Sequence, residues 1–115
     1  MTGSVFAEDV LIIHQNYGNT HSKWKNRLED NSGGNHTVTS VTSTPTDTSS
    51  YEQIYDLRYS NTHTMSSSLQ THYKALLARG GTLYLQTEHT GFGTRNNSVI
   101  DFIEDELGGG TITVS

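Results

Sequence analysis

The segment from Gly80 to Leu107, GGTLYLQTEHTGFGTRNNSVIDFIEDEL, most constrains what this chain can fold into. Two glycines precede a short apolar run, Leu83, Tyr84 and Leu85, the pattern of a central strand closed in on both faces. Val99, Ile100, Ile103 and Leu107 then recur at helical spacing, and Asn96 or Asn97 is placed to cap the helix start. Between strand and helix lies a polar loop from Thr87 to Arg95. A loop leaving the carboxyl end of a parallel strand is where open α/β sheets hold their ligands. Any chemical site in this chain should therefore include that loop.

The rest of the chain extends the same alternation. Met1 to Glu8 reads as an irregular N-terminal arm, and Asp9 to His14 has the continuous apolar run of a central parallel strand. A loop, Gln15 to Thr20, leads to a short amphipathic helix from His21 to Asp30, with Trp24 and Leu28 on one face. Asn31 to Asn35 ends it, and the β-branched run His36 to Ser43 predicts an edge strand. Thr44 to Asp47 turns the chain, Ser49 and Glu52 have the spacing of a capping box, and Ile54 to Tyr59 is a third strand. Leu69, Tyr73, Leu76 and Leu77 mark a helix packed on a sheet, with Gly80 as the residue just past its end. After the organising strand and helix, Thr111 to Val114 reads as a fifth strand. The order β-α-β-β-α-β-α-β predicts one α/β domain over residues 1–115, a three-layer sandwich around a mainly parallel five-stranded sheet. A closing helix after the fifth strand is missing, so one sheet face is expected to be thinly covered and available to partners.

Composition narrows the function classes. The 115 residues carry a formal net charge of -5, with only seven Lys and Arg in no cluster, which argues against nucleic-acid binding. No run can span a membrane, and no signal-peptide core opens the sequence. The absence of cysteine removes a disulfide framework, a cysteine metal site and a thiol nucleophile. The six histidines show no metal-binding spacing, and no G-x-S-x-G elbow occurs. Glu104, Asp105 and Glu106 read as a solvated helix end. Ser, Thr and Asn richness with little Lys matches many phage and secreted bacterial structural proteins. Virion or extracellular placement is expected on that ground, with a cytoplasmic setting left open.

The strand VLIIH at Val10 to His14, the segment YEQIYDLRYSN, the helix end ALLARGG and TLYLQTEHTGFGTRNNSVIDFI together resemble the class I glutamine amidotransferase-like superfamily, especially its non-catalytic branches. The resemblance covers about Asp9 to Gly110 and implies a flavodoxin-like three-layer fold. Catalytic members place a Cys nucleophile at the elbow after the strand that here ends at Gln86. Thr87 and Glu88 stand there instead, and the downstream His-Glu region does not exist, so the resemblance implies no amidotransferase activity. A second, local resemblance joins Tyr17-Gly18-Asn19-Thr20 to the FMN-phosphate loop of flavodoxins. Gly18, Asn19 and Thr20 match it, while Gln15 and Tyr17 replace small hydroxyl residues. Tyr59 and Phe92 lie on loops where aromatics would flank a flavin ring.

The strand exits gather His14, Asn16, Asp56, Arg58, Asn61, Glu88, His89, Arg95 and Asn97. As a pocket, Asn16, Gly18, Thr20, Arg58, Glu88 and Arg95 would bind a ligand, with an arginine on an anion and Glu88 or His14 as acid or base. The structural alternative, an Arg58–Glu88 ion pair and an Arg95 network fixing the loops, is preferred. The expected function is a non-enzymatic structural or interaction module without a resident cofactor. It would join protein partners, including copies of itself, in a larger particle. Phe6, Trp24 and the strand Thr111, Ile112, Thr113 and Val114 are its candidate interface. The alternative is a small ligand-binding domain for FMN or another phosphate-bearing ligand, or a degenerate hydrolase.

Overall fold

A computed structural model describes residues 7–111. Strand β1 (Asp9–Ile13) is followed by helix α1 (Thr20–Glu29), β2 (Thr37–Val41), β3 (Gln53–Asp56), α2 (Ser67–Ala78), β4 (Thr82–Leu85) and α3 (Gly93–Asp101). The strands form one parallel sheet in the order β2-β1-β3-β4. The chain moves from β1 outward to β2, then returns to the other side of β1 for β3 and β4. Crossovers of one hand in opposite directions put their helices on opposite sheet faces.

Side-chain alternation along β1 divides the core accordingly. Leu11 and Ile13 join Ile54, Met65, Leu69, Tyr73, Leu76, Val99 and Phe102 on the α2–α3 face. Val10 and Ile12 join Leu28 and Leu57 on the α1 face. Both halves of the alternation are buried because β1 lies between two strands with helices on either side, as its uninterrupted apolar run requires.

Helix α2 begins where Ser66 accepts a hydrogen bond from the Leu69 N–H (3.2 Å). It ends in a paired motif: Gly80 N–H donates to Leu77 O (3.1 Å) and Gly81 N–H to Leu76 O (2.9 Å). The left-handed φ of 84° at Gly80 permits this turn.

Several expectations require correction. The described residues hold four strands, not five. Thr111 is exposed and outside any strand, while Ile112, Thr113, Val114 and Phe6 lie outside the described residues. Among the described residues β4 lies at the sheet edge rather than in its centre: Leu83 and Leu85 pack on the α2–α3 core, but Tyr84 is 40% exposed on the other face. Its ring meets Trp24 of α1 and Tyr55 of β3 at centroid distances of 5.3 and 5.8 Å. The apolar run therefore reflects an aromatic patch, not burial on both sides.

β3 stops at Asp56 instead of Tyr59 because the Asp56 side chain accepts the Arg58 N–H (3.2 Å) and turns the chain out of the ladder. The Ser49–Glu52 capping box does not form. The Ser49 N–H and hydroxyl both donate to Asp47 Oδ1, and Glu52 Oε2 accepts the Asp9 N–H. α3 starts at Gly93, so Asn96 and Asn97 lie within the helix rather than capping it. The helix continues past Asp101 as a π turn, Phe102–Glu106, closed by Leu107 N–H to Phe102 O (3.2 Å).

Candidate functional site

Under the carboxyl ends of β3 and β4 lies a buried ionic cluster. Asp56 at the last position of β3 and Arg95 in α3 are fully buried, and Arg58 is 3% exposed. Arg58 grips Asp56 through both oxygens, Nε to Oδ1 at 2.9 Å and Nη2 to Oδ2 at 2.8 Å. Such a planar fork on a carboxylate is the strong form of this pair. The Tyr73 hydroxyl donates to Oδ2 at 2.5 Å. Arg95 Nη2 lies 3.5 Å from Oδ1 but makes no hydrogen bond among the described residues.

Burial pushes the Asp56 carboxyl up, but the Arg58 hydrogen bonds, the charges of Arg95 and Arg58 and the Tyr73 hydrogen bond outweigh it and hold it below its ordinary value. Burial lowers Arg95, with Asp56 opposing, and the net result is downward. Arg58 ends above its ordinary value because the Asp56 bond and charge overcome its burial. Tyr73 is pushed up by burial and by the Asp56 carboxylate.

The remaining arginine donors fasten loops. Arg58 Nη1 donates to Thr44 Oγ1 (3.1 Å), Arg95 Nη1 to His63 O (3.0 Å) and Arg95 Nε to Gln86 O (3.3 Å). The expected Arg95 loop network is therefore present. The expected Arg58–Glu88 pair is not, because Arg58 is committed to Asp56 and Glu88 is exposed.

Above this cluster, between the exits of β1, β3 and β4, is a crevice of about 380 Å³. It lies where the strand order reverses, the usual ligand position of an open parallel sheet. Tyr17, Tyr59 and Phe92 supply aromatic walls, His14, His21 and His89 supply imidazoles, and Glu88 supplies a carboxylate. His14 and His21 stack with centroids 3.8 Å apart and planes 7° from parallel. His14 Nδ1 accepts the Asn16 N–H (3.0 Å), so a neutral His14 ring carries its proton on Nε2. Burial, then the neighbouring His21, lowers the His14 pKa.

The loops bearing the walls are held by side chains from adjoining segments. Gln15 Oε1 accepts from the N–H groups of Tyr59 (2.8 Å) and Ser60 (3.1 Å). Asn96, 3% exposed, brackets Glu88: its Oδ1 accepts the Glu88 N–H (3.1 Å) and its Nδ2 donates to Glu88 O (2.7 Å). His89 Nδ1 accepts from Gly91 N–H (3.0 Å), fixing the turn Thr90–Phe92.

The six ligand candidates therefore divide. Glu88 and Thr20 line the crevice, whereas Arg58 and Arg95 lie buried outside its lining. Asn16 and Gly18 are exposed on its first loop and do not line it. Asn97 is exposed and lines a separate surface hollow with Ser98 and Asp101. The FMN-like features split in the same way. Tyr59 and Phe92 stand on the walls, but the Asn16 N–H is committed to His14 and Asn19 makes no capping bond to α1.

Sequence reasoning missed His21, which has no spacing signal linking it to His14, and Tyr73, which reads as part of an apolar helix face. A tyrosine at a core position does carry one clue: its buried hydroxyl needs a partner. Among the described residues no group of three or more His, Asp or Glu is arranged to hold a metal. No protein-family model, curated protein or solved structure gave a match to this chain.

Proposed function

We propose that this chain is a non-enzymatic recognition and interaction module of a larger assembly, a virion or extracellular structure, with the strand-exit crevice as its recognition surface. The observation that carries the reading is the closed state of the ionic cluster. Asp56 is paired with Arg58 and Arg95 in the interior, with one guanidinium charge in excess, while the crevice presents aromatic and imidazole walls on fastened loops. Groups so consumed are positioned to hold shape rather than to exchange protons with a substrate. The sheet order and the helices on both faces are what a flavodoxin-like reading calls for.

The aromatic patch of Trp24, Tyr55 and Tyr84 favours assembly through the α1 face. Light scattering over a concentration series, with absorption recorded on the same sample, tests the reading. A colourless protein whose mass rises with concentration is expected. A monomer at every concentration would overturn self-assembly. Bound flavin, or a turnover abolished by Glu88→Gln, would replace the reading with the ligand-binding or hydrolytic alternative.

A further inference from the structure

The walls of the crevice have a specific charge character. Among the described residues lining it there is no Lys or Arg, and its one carboxylate is Glu88. The whole chain carries a formal charge of -5. The cluster beneath has one guanidinium in excess, so the attraction for a cation comes from Glu88 on the wall and from the overall charge of the chain, not from the floor.

The rings add direction. Tyr59 stands edge-on to Tyr17, with planes at 75° and centroids 6.1 Å apart. It stands edge-on to Phe92 as well, at 84° and 5.2 Å. Successive rings at near right angles make a corner whose π faces look in more than one direction. A flat ligand needs parallel walls, whereas a roughly spherical cation can sit against any ring face that the edge-on contacts leave open. Tyr17 is 73% exposed, so an occupant would cover apolar ring surface now in water. The crevice volume, about 380 Å³, suits a small headgroup.

We propose that this crevice binds a small trimethylammonium cation of the choline type, held by the Tyr17–Tyr59–Phe92 corner with Glu88 as counter-charge. The proposal rests on the crevice being a recognition surface, and it names the ligand class. The corner is preorganised, since Gln15 fixes the Tyr59 backbone and Asn96 fixes that of Glu88. Less conformational freedom is then lost on binding. A zwitterion is a poorer ligand. The phosphate of phosphocholine or the carboxylate of betaine meets no cationic side chain on these walls and is repelled by Glu88.

Calorimetric or NMR titration of the full chain with choline and with its uncharged isostere, 3,3-dimethylbutan-1-ol, tests the proposal. Choline should bind about 10-fold tighter than the isostere. Glu88→Gln should weaken choline by about 2- to 5-fold and leave the isostere unchanged, with Tyr59→Leu weakening choline further. Because Glu88 is exposed, the Glu88→Gln chain provides a test even if Tyr59→Leu misfolds. Equal binding of choline and isostere would overturn the cation assignment while leaving the crevice a binding surface. No response of the Tyr17, Tyr59 and Phe92 signals to choline, or tighter binding of phosphocholine, would overturn it too. The assembly reading is decided separately, by mass without any ligand.

Discussion

Asp56 is the hub of the buried ionic cluster. Its carboxylate holds Arg58 at 2.9 and 2.8 Å and Tyr73 at 2.5 Å, and through the two arginines it reaches the loops at Thr44, His63 and Gln86. A buried ion cluster adds little net stability when complete, but it is costly to leave half made. Asp56→Asn should therefore destabilise the chain by about 3–5 kcal/mol, because two buried guanidinium groups lose their counter-charge. Denaturant unfolding of the variant checks this, and a loss below about 1 kcal/mol would show that water or other groups neutralise the arginines. The cluster was partly legible in advance. Asp56, Arg58 and Arg95 were expected near one another, but the pairing was assigned to Glu88. Spacing alone did not show that residues two apart at a strand end can pair when the strand stops between them.

At the scale of elements, the best-read parts were those with a strong local rule. β1 is an apolar run buried on both faces, and α2 has its periodic core face and its terminal glycine. Gly80→Ala should cost about 1–2 kcal/mol, since a side chain at a φ of 84° is strained although nothing lies within 4 Å of its Cβ. Thermal melting of this variant isolates backbone strain from packing. An unchanged melting point would mean that the helix end can reform in another conformation. The poorly read elements were β4 and the start of α3. An apolar triplet does not distinguish a covered strand from an edge strand whose tyrosine joins an aromatic cluster. Nor does an asparagine declare whether it caps a helix or, like Asn96, reaches back to hold the preceding loop.

The whole molecule should lose stability in two stages as pH falls. Burial lowers His14 below its ordinary 6.5, and burial with the Arg58 charge lowers His63. Folding therefore favours the neutral rings. That contribution is fully present above 6.5 and is lost as pH drops through the folded values. Asp56 is held below 3.8, so its contribution is present above that value and is lost as pH falls through the folded carboxyl value. Melting temperature against pH should show a first decline below 6.5 and a steeper one in the acid range. His14→Gln should reduce the first step. A profile that stays flat from about pH 7 to pH 5 would contradict the neutral-imidazole assignment.

By itself the sequence determined the α/β class, the parallel β1–β4 alternation and the strand exits as the place where polar residues meet. Those follow from period, punctuation and connection rules, each of which acts over a short stretch of chain. Only the tertiary structure decided that Asp56, Arg58 and Arg95 close on one another, that Tyr84 of β4 joins Trp24 and Tyr55 on the α1 face and that His21 stacks on His14. It also decided that Tyr17, Tyr59 and Phe92 form a corner beside Glu88. These are relations between side chains brought together from different loops. Their identity depends on distances of a few ångströms, which spacing along the chain does not encode.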